Sequence, residues 1–137
     1  MSGEHAVRLS GKAALITGGA GGFGMTQARL FAAEGAAVAI ADLQEDAGRR
    51  LTAEIESDGG KAIFVHLDVT DERSWVSAID EMTRDLGRPT VLVQNAGIYV
   101  RESISDTTVA QWDTVMAVNA RGVFLGTKAV VGPMVEA

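Results

Sequence analysis

Short apolar runs that alternate with helix-period segments predict an α/β fold built on a parallel sheet. Two further observations point the same way. A glycine cluster, Gly18 to Gly24, stands where the first apolar run gives way to the first helical pattern, and each later unit closes on its own turn residues.

The elements follow in order. Lys12 to Thr17 (KAALIT) has the unbroken apolar character of a strand buried on both faces. After the glycines, Met25, Ala28, Phe31 and Ala32 form one helical face that ends before Gly35. Ala37 to Asp42 (AVAIAD) is a second strand, followed by a helix with Ala47, Leu51 and Ile55 in line, which Asp58, Gly59 and Gly60 end. Lys61 to Leu67 is the third strand. Thr70 is expected to cap a helix whose Trp75, Ile79, Met82 and Leu86 face the sheet before Gly87 and Pro89 stop it. Thr90 to Asn95 (TVLVQN) is strand four. After a loop, Trp112, Val115, Met116, Val123 and Val130 fall near one face of a single last helix, interrupted only by Pro133. The whole reads as half of a Rossmann-type sheet over residues 1–137, with the strand order 3-2-1-4 expected.

Composition bounds what such a unit does. Hydrophobic residues at 47% and charged residues at 22% fit a globular chain with a packed core. A net charge of −6 repels phosphate polymers and anionic membranes, so neither nucleic acid nor a membrane is expected as a partner. The chain has no cysteine, which excludes disulfides, thiolate catalysis and Cys-based metal sites. The start, Met1 to Lys12, carries charges where a secretory signal needs an apolar run, and a cytoplasmic protein is expected. The two histidines, His5 in the tail and His66 on a strand, form neither a zinc pattern nor part of a nucleophile triad, so no metal is expected and His66 reads as structural.

The glycine cluster carries the first chemical signal. A strand-to-helix turn that receives a pyrophosphate needs glycine, because the turn uses backbone conformations closed to larger residues and the phosphates approach the main chain and helix N-terminus. The stretch fits three registers: Gly19, Gly21 and Gly24; Gly18, Gly21 and Gly24; or Gly18, Gly22 and Gly24. Asp42 ends the second strand twenty residues after Gly22, where a dinucleotide fold puts the carboxylate that bonds the adenosine ribose; the plainer alternative is a solvated Asp at a helix start. A carboxylate there repels a 2′-phosphate, and no Lys or Arg stands in the loop or beside Asp42 to offset it. NAD is therefore expected over NADP.

From about Gly11 to Met134 the chain resembles the short-chain dehydrogenase/reductase family, in its compact branch. The pattern T-G-x-x-x-G-x-G is met by Thr17, Gly18, Gly22 and Gly24, and the N-A-G after the fourth strand by Asn95, Ala96 and Gly97, with Gln94 departing mildly from the commoner N-N-A-G. The resemblance implies a nicotinamide-dependent oxidoreductase that interconverts an alcohol with a ketone or aldehyde. It makes Asp68 the acceptor for the adenine amino group and Asn95 a residue that stabilises the sheet beside the cofactor. Phe23, Leu43 and Val69 are expected to line the same crevice. Asn119, within Val118-Asn119 and Gly122, corresponds to the helix Asn that supports a proton relay to a catalytic Lys. It is expected on the inward stripe of the last helix, where the plainer reading is a core amide bonded to backbone.

The family's catalytic Ser, Tyr and Lys have no counterpart here. The sole tyrosine is Tyr99, and Ser103 stands four residues on, so no Y-x-x-x-K is present. Tyr99 reads as a loop residue near the cofactor mouth. The expectation is an NAD-binding front half, inactive alone, with its crevice at the carboxyl ends of strands one and four. Homo-oligomerisation or self-association is expected through the last helix or the exposed edge of strand four, and a non-enzymatic nucleotide-binding or oligomer-forming module is the alternative function.

Overall fold

The computed structural model describes residues 7–137; His5 lies outside them. The elements in chain order are β1 (Ala13–Thr17), α1 (Gly22–Ala33), β2 (Ala37–Asp42), α2 (Glu45–Ser57), β3 (Lys61–His66), α3 (Glu72–Leu86), β4 (Val91–Gln94), α4 (Val109–Met116), a π-helical turn over Ala117–Arg121, and α5 (Gly122–Glu136). The four strands form one sheet in the order β3-β2-β1-β4, with all three pairings parallel, as expected.

The sheet is buried on both faces because its strands carry apolar side chains at odd and even positions alike. On one face Ile16, Val38, Ile40 and Phe64 meet Ala28 of α1 and Leu51 and Ile55 of α2. On the other, Leu15, Ala39 and Val65 meet Trp75, Ile79 and Met82 of α3 and Leu125 and Val130 of α5. Trp75 is fully buried, and its indole N–H donates to the Val69 carbonyl at 3.0 Å, so its polar tip is satisfied inside the core.

The chain steps outward from β1 to β2 to β3 and then returns to lay β4 on the other side of β1. The connections leaving β1 and β4 therefore diverge, which opens a crevice at the carboxyl ends of these two strands.

Several expectations are corrected by the structure. Asp71, not Thr70, caps α3: its carboxylate accepts from the Arg73 amide at 2.9 Å, while Thr70 is drawn back to Asp68. The last helix is not one regular helix. The π-helical turn divides α4 from α5, and α5 runs on through Pro133 instead of breaking there. Asn119 lies in that turn and is exposed, so the reading of it as a core amide is overturned, although its side chain is bonded to backbone. His66 ends β3 as an exposed residue opposite Asp42 of β2. Strand four, Val91–Gln94, is one residue shorter at each end than expected: the Thr90 hydroxyl bonds the Ala13 backbone and the Asn95 side chain bonds the Gly18 carbonyl.

Candidate functional site

The crevice is built from the ends of β1, β2 and β4 and the residue run after β3. It consists of two adjoining cavities of about 610 and 310 Å³. Gly18, Asp42, Gln44, Ala96 and Gly97 line both. The larger adds Ala20, Gly21, Gly22, Phe23, Asn95 and Tyr99; the smaller adds Leu43, Leu67, Asp68, Val69, Ile98 and Val118.

The glycine turn resolves its own register. Gly18 and Gly22 have φ of 62° and 53°, the left-handed region that disfavours side chains. A Cβ on Gly24 would overlap the Gly18 carbonyl and stand 2.7 Å from Asn95 Nδ2. Gly21 has an extended backbone and nothing within 4 Å of where a Cβ would stand. Of the three registers, Gly18, Gly22 and Gly24 is thus the one in which every member is required by the fold itself. The open space over Gly21 and Gly22 at the start of α1 is a cradle that a phosphate can enter, with helix N–H groups beneath it.

Hydrogen bonds hold the walls. The Thr17 hydroxyl, 1% exposed, accepts from the Ala96 amide at 3.0 Å, and Asn95 Nδ2 donates to the Gly18 carbonyl at 3.2 Å. Together they stitch the end of β1 to the loop after β4. Asp42 Oδ2 accepts from the Ala20 amide at 3.1 Å and Oδ1 from the Gln44 amide at 3.0 Å, so the carboxylate is fixed against the turn by backbone donors. Asp68 Oδ1 accepts from the hydroxyl and amide of Thr70 at 2.7 and 2.9 Å, and these bonds hold its carboxyl below the ordinary carboxylate value.

Asn119 reaches back across the site. Its Oδ1 accepts from the Ile98 amide at 2.9 Å and its Nδ2 donates to the Ile98 carbonyl at 2.7 Å, a two-point clamp on the residue that follows N-A-G. The predicted residues Gly18, Gly22, Phe23, Asp42, Leu43, Asp68, Val69, Asn95, Ala96 and Gly97 are thereby brought together on the cavity walls. Thr17 and Gly24 stand behind that wall, and Asn119 holds it from the side.

Several residues escaped sequence reasoning. Gln44, Ala20 and Val118 line the crevice with little to mark them beforehand. Gln94 is a tie rather than a ligand: its Nε2 donates to the Val123 carbonyl at 3.0 Å and the Thr127 hydroxyl at 2.9 Å, fastening β4 under α5. A polar residue closing an apolar strand was the available signal. Tyr99 is 71% exposed at the mouth, with Arg101 bonded to it.

A family model described as short chain dehydrogenase matches residues 12–137. The chain belongs to the short-chain dehydrogenase family. It is 45% identical to a cyclopentanol dehydrogenase of Comamonas over 130 residues, which cover 95% of this chain and 52% of that protein. It is 44% identical to a 2,5-dichloro-2,5-cyclohexadiene-1,4-diol dehydrogenase of Sphingobium indicum, covering 94% of this chain and 52% of that one. Among solved structures, a short-chain type dehydrogenase/reductase from Mycobacterium marinum superposes with a TM-score of 0.90 at 37% identity, covering 96% of this chain and 53% of the other. The chain thus spans about half the length of the relatives it matches. Dehydrogenases of this family use a nicotinamide nucleotide, and the space where a Cβ on Gly21 or Gly22 would stand is open. No helix among the described residues is long and apolar enough to cross a membrane.

Proposed function

We propose that this chain is the NAD(H)-binding portion of an oxidoreductase that interconverts an alcohol with a ketone or aldehyde. The observation that carries the reading is Asp42, which lines both cavities and is braced by the Ala20 and Gln44 amides in a crevice whose lining contains no Lys or Arg. A braced carboxylate accepts the two hydroxyls of an adenosine ribose and repels a phosphate on the same ring, which favours NAD over NADP. Gly18, Gly22 and Gly24 shape the turn under the pyrophosphate, and the space over Gly21 and Gly22 admits it. Asp68 is assigned to the adenine amino group, with Leu43 and Val69 against the ring. Thr17, Asn95, Ala96 and Gly97 keep the β4 side of the crevice in place. A bound nicotinamide would supply the acceptor for the hydride that leaves the alcohol carbon. Asn119 holds the Ile98 backbone and is assigned the support of a proton relay.

The relatives named for cyclopentanol and a cyclohexadiene diol support a ring-borne secondary alcohol as substrate. The catalytic Ser, Tyr and Lys of the family have no counterpart in this sequence, so nucleotide binding without turnover is expected of the chain by itself.

Calorimetric titration with NADH and with NADPH tests this reading, with Asp42→Ala as control. NADH binds more tightly, and the substitution weakens NADH by roughly tenfold while narrowing the preference, the size of one charge-assisted hydrogen bond. Equal affinity for the two nucleotides refutes the assignment.

A second reading, a nucleotide-binding module that associates with other chains, is favoured by the apolar side chains that α4 and α5 leave exposed: Trp112, Phe124, Val131 and Val135. The unpaired edge of β4 adds to it. Sedimentation over a range of concentrations tests it, and a monomer throughout refutes it.

A further inference from the structure

The crevice has an electrostatic gap. A dinucleotide brings two negative charges on its pyrophosphate, yet the two cavities are lined by Asp42 and Asp68 and by no basic side chain. Backbone amides at the start of α1 offer partial charge only. A full positive charge stands one residue behind the wall. Tyr99 lines the larger cavity together with Gly21, Gly22 and Phe23. The Arg101 guanidinium is carried on Tyr99: Nε and Nη2 donate to the phenol oxygen at 3.1 and 2.8 Å, and the guanidinium carbon lies 5.5 Å from the ring centroid.

Three features make this pair suited to an anion. Arg101 takes part in none of the ion pairs among the described residues, although Glu102 adjoins it and Asp106 shares its loop, so its charge is not neutralised by a carboxylate. A guanidinium has five N–H donors, and those directed at Tyr99 leave others unused. The phenol oxygen, with its acceptor positions taken by Arg101, retains its own O–H proton as a donor, and an adjacent cation polarises that donor.

We infer that Tyr99 and Arg101 form an anion-recognition pair at the mouth of the crevice that engages the phosphates of the dinucleotide from the side opposite the glycine turn. The inference rests on the nucleotide-binding reading of the crevice and adds to it residues outside the glycine turn and N-A-G. Arg101 supplies charge and Tyr99 supplies a hydrogen bond, so one phosphate group is gripped between the helix N-terminus and the loop after β4. The pair is exposed, and its contribution is screened by salt.

The test titrates the whole chain with NADH, ADP-ribose and adenosine, in wild type, Arg101→Gln, Arg101→Lys and Tyr99→Phe, at two salt concentrations. Circular dichroism and the thermal midpoint, unchanged for these exposed positions, show that each variant is folded. Arg101→Gln weakens NADH and ADP-ribose alike by roughly fivefold, leaves adenosine unchanged and flattens the salt dependence. Arg101→Lys recovers part of the loss, because charge is restored without the fork that grips the phenol. Tyr99→Phe gives a smaller loss confined to the two phosphate-bearing ligands. Undiminished NADH binding in Arg101→Gln overturns the inference while leaving the nucleotide reading in place, and so does a loss that extends equally to adenosine. Failure of the wild-type chain to bind any of the three overturns the nucleotide reading, and this inference with it.

Discussion

Thr17→Val isolates one bond on which the shape of the crevice depends. Thr17 is buried at the end of β1, and its hydroxyl accepts from the Ala96 amide across the gap to the loop after β4. Valine keeps the branched shape and replaces the oxygen with a methyl, so packing is nearly preserved while a part-buried N–H loses its acceptor. An unmade hydrogen bond of this kind costs about 1–2 kcal/mol. With a urea slope of about 1.5 kcal/mol per molar for a domain of this size, the unfolding midpoint falls by roughly 0.7–1.3 M. The fully buried Trp75 provides the fluorescence signal, with Trp112, 59% exposed, as a weaker contributor. Because Ala96 lines both cavities, NADH affinity falls as well. Thr17→Ser serves as the counterpart: it retains the oxygen, loses stability only through the deleted methyl, and keeps its affinity. A Thr17→Val midpoint within about 0.2 M of wild type, or equal loss of affinity in both variants, refutes the argument that this bond fixes the crevice wall.

Other consequences are open to direct measurement. Asp68 is held below its ordinary value by Thr70, so as pH falls the unfolded chain takes up the proton first; its stabilisation is complete above about pH 4, the unfolded value, and is lost as pH drops through the lower folded value. Asp68→Asn therefore flattens the acid limb of stability against pH in urea titrations, and parallel limbs for the two proteins refute this. Gln27 places its Oε1 in a buried position with no hydrogen-bond partner among the described residues. Gln27→Met keeps the length of the side chain and removes the orphaned acceptor, which raises stability by about 1 kcal/mol and the thermal midpoint by about 3–5 °C. A lowered midpoint contradicts it.

The sheet was legible in the sequence because, Thr17 apart, each strand is apolar at every position the sheet buries, and because strand ends coincide with the residues that leave it: Thr17 before the glycines, Asp42 before its turn at Gln44. The crevice was legible through the same ends, which is why Asp42, Asp68 and the N-A-G run were found from spacing and resemblance. The region after Gly97 was not. A π-helical turn carries one residue more than an α-helical one, which rotates everything beyond it by about 100° about the axis. A stripe counted at 3.6 residues from Trp112 to Val130 therefore leaves its face: Trp112 is exposed, whereas Leu125, outside that stripe, is buried with Val130. Thr70 was mistaken for a cap for a related reason. Thr and Asp are both good caps, and the competition was decided by Asp68, whose carboxylate claims the Thr70 hydroxyl.

The clamp of Asn119 on Ile98 has a consequence for how the chain tolerates change. Among the described residues, the side-chain bonds of residues 99–108 beyond Ile98 reach no farther than four positions along the chain: Arg101 to Tyr99, Ser103 to Ser105 and Asp106, Thr107 to Ser103, Thr108 to Gln111. The excursion is anchored at its two ends, by Asn119 at the start and by the Thr108–Gln111 capping box at the finish. A loop tethered only at its ends accepts substitution, lengthening or shortening between them without transmitting strain to what it is tethered to. Variation over these residues can therefore retune what meets the mouth of the crevice, while its floor is inherited intact.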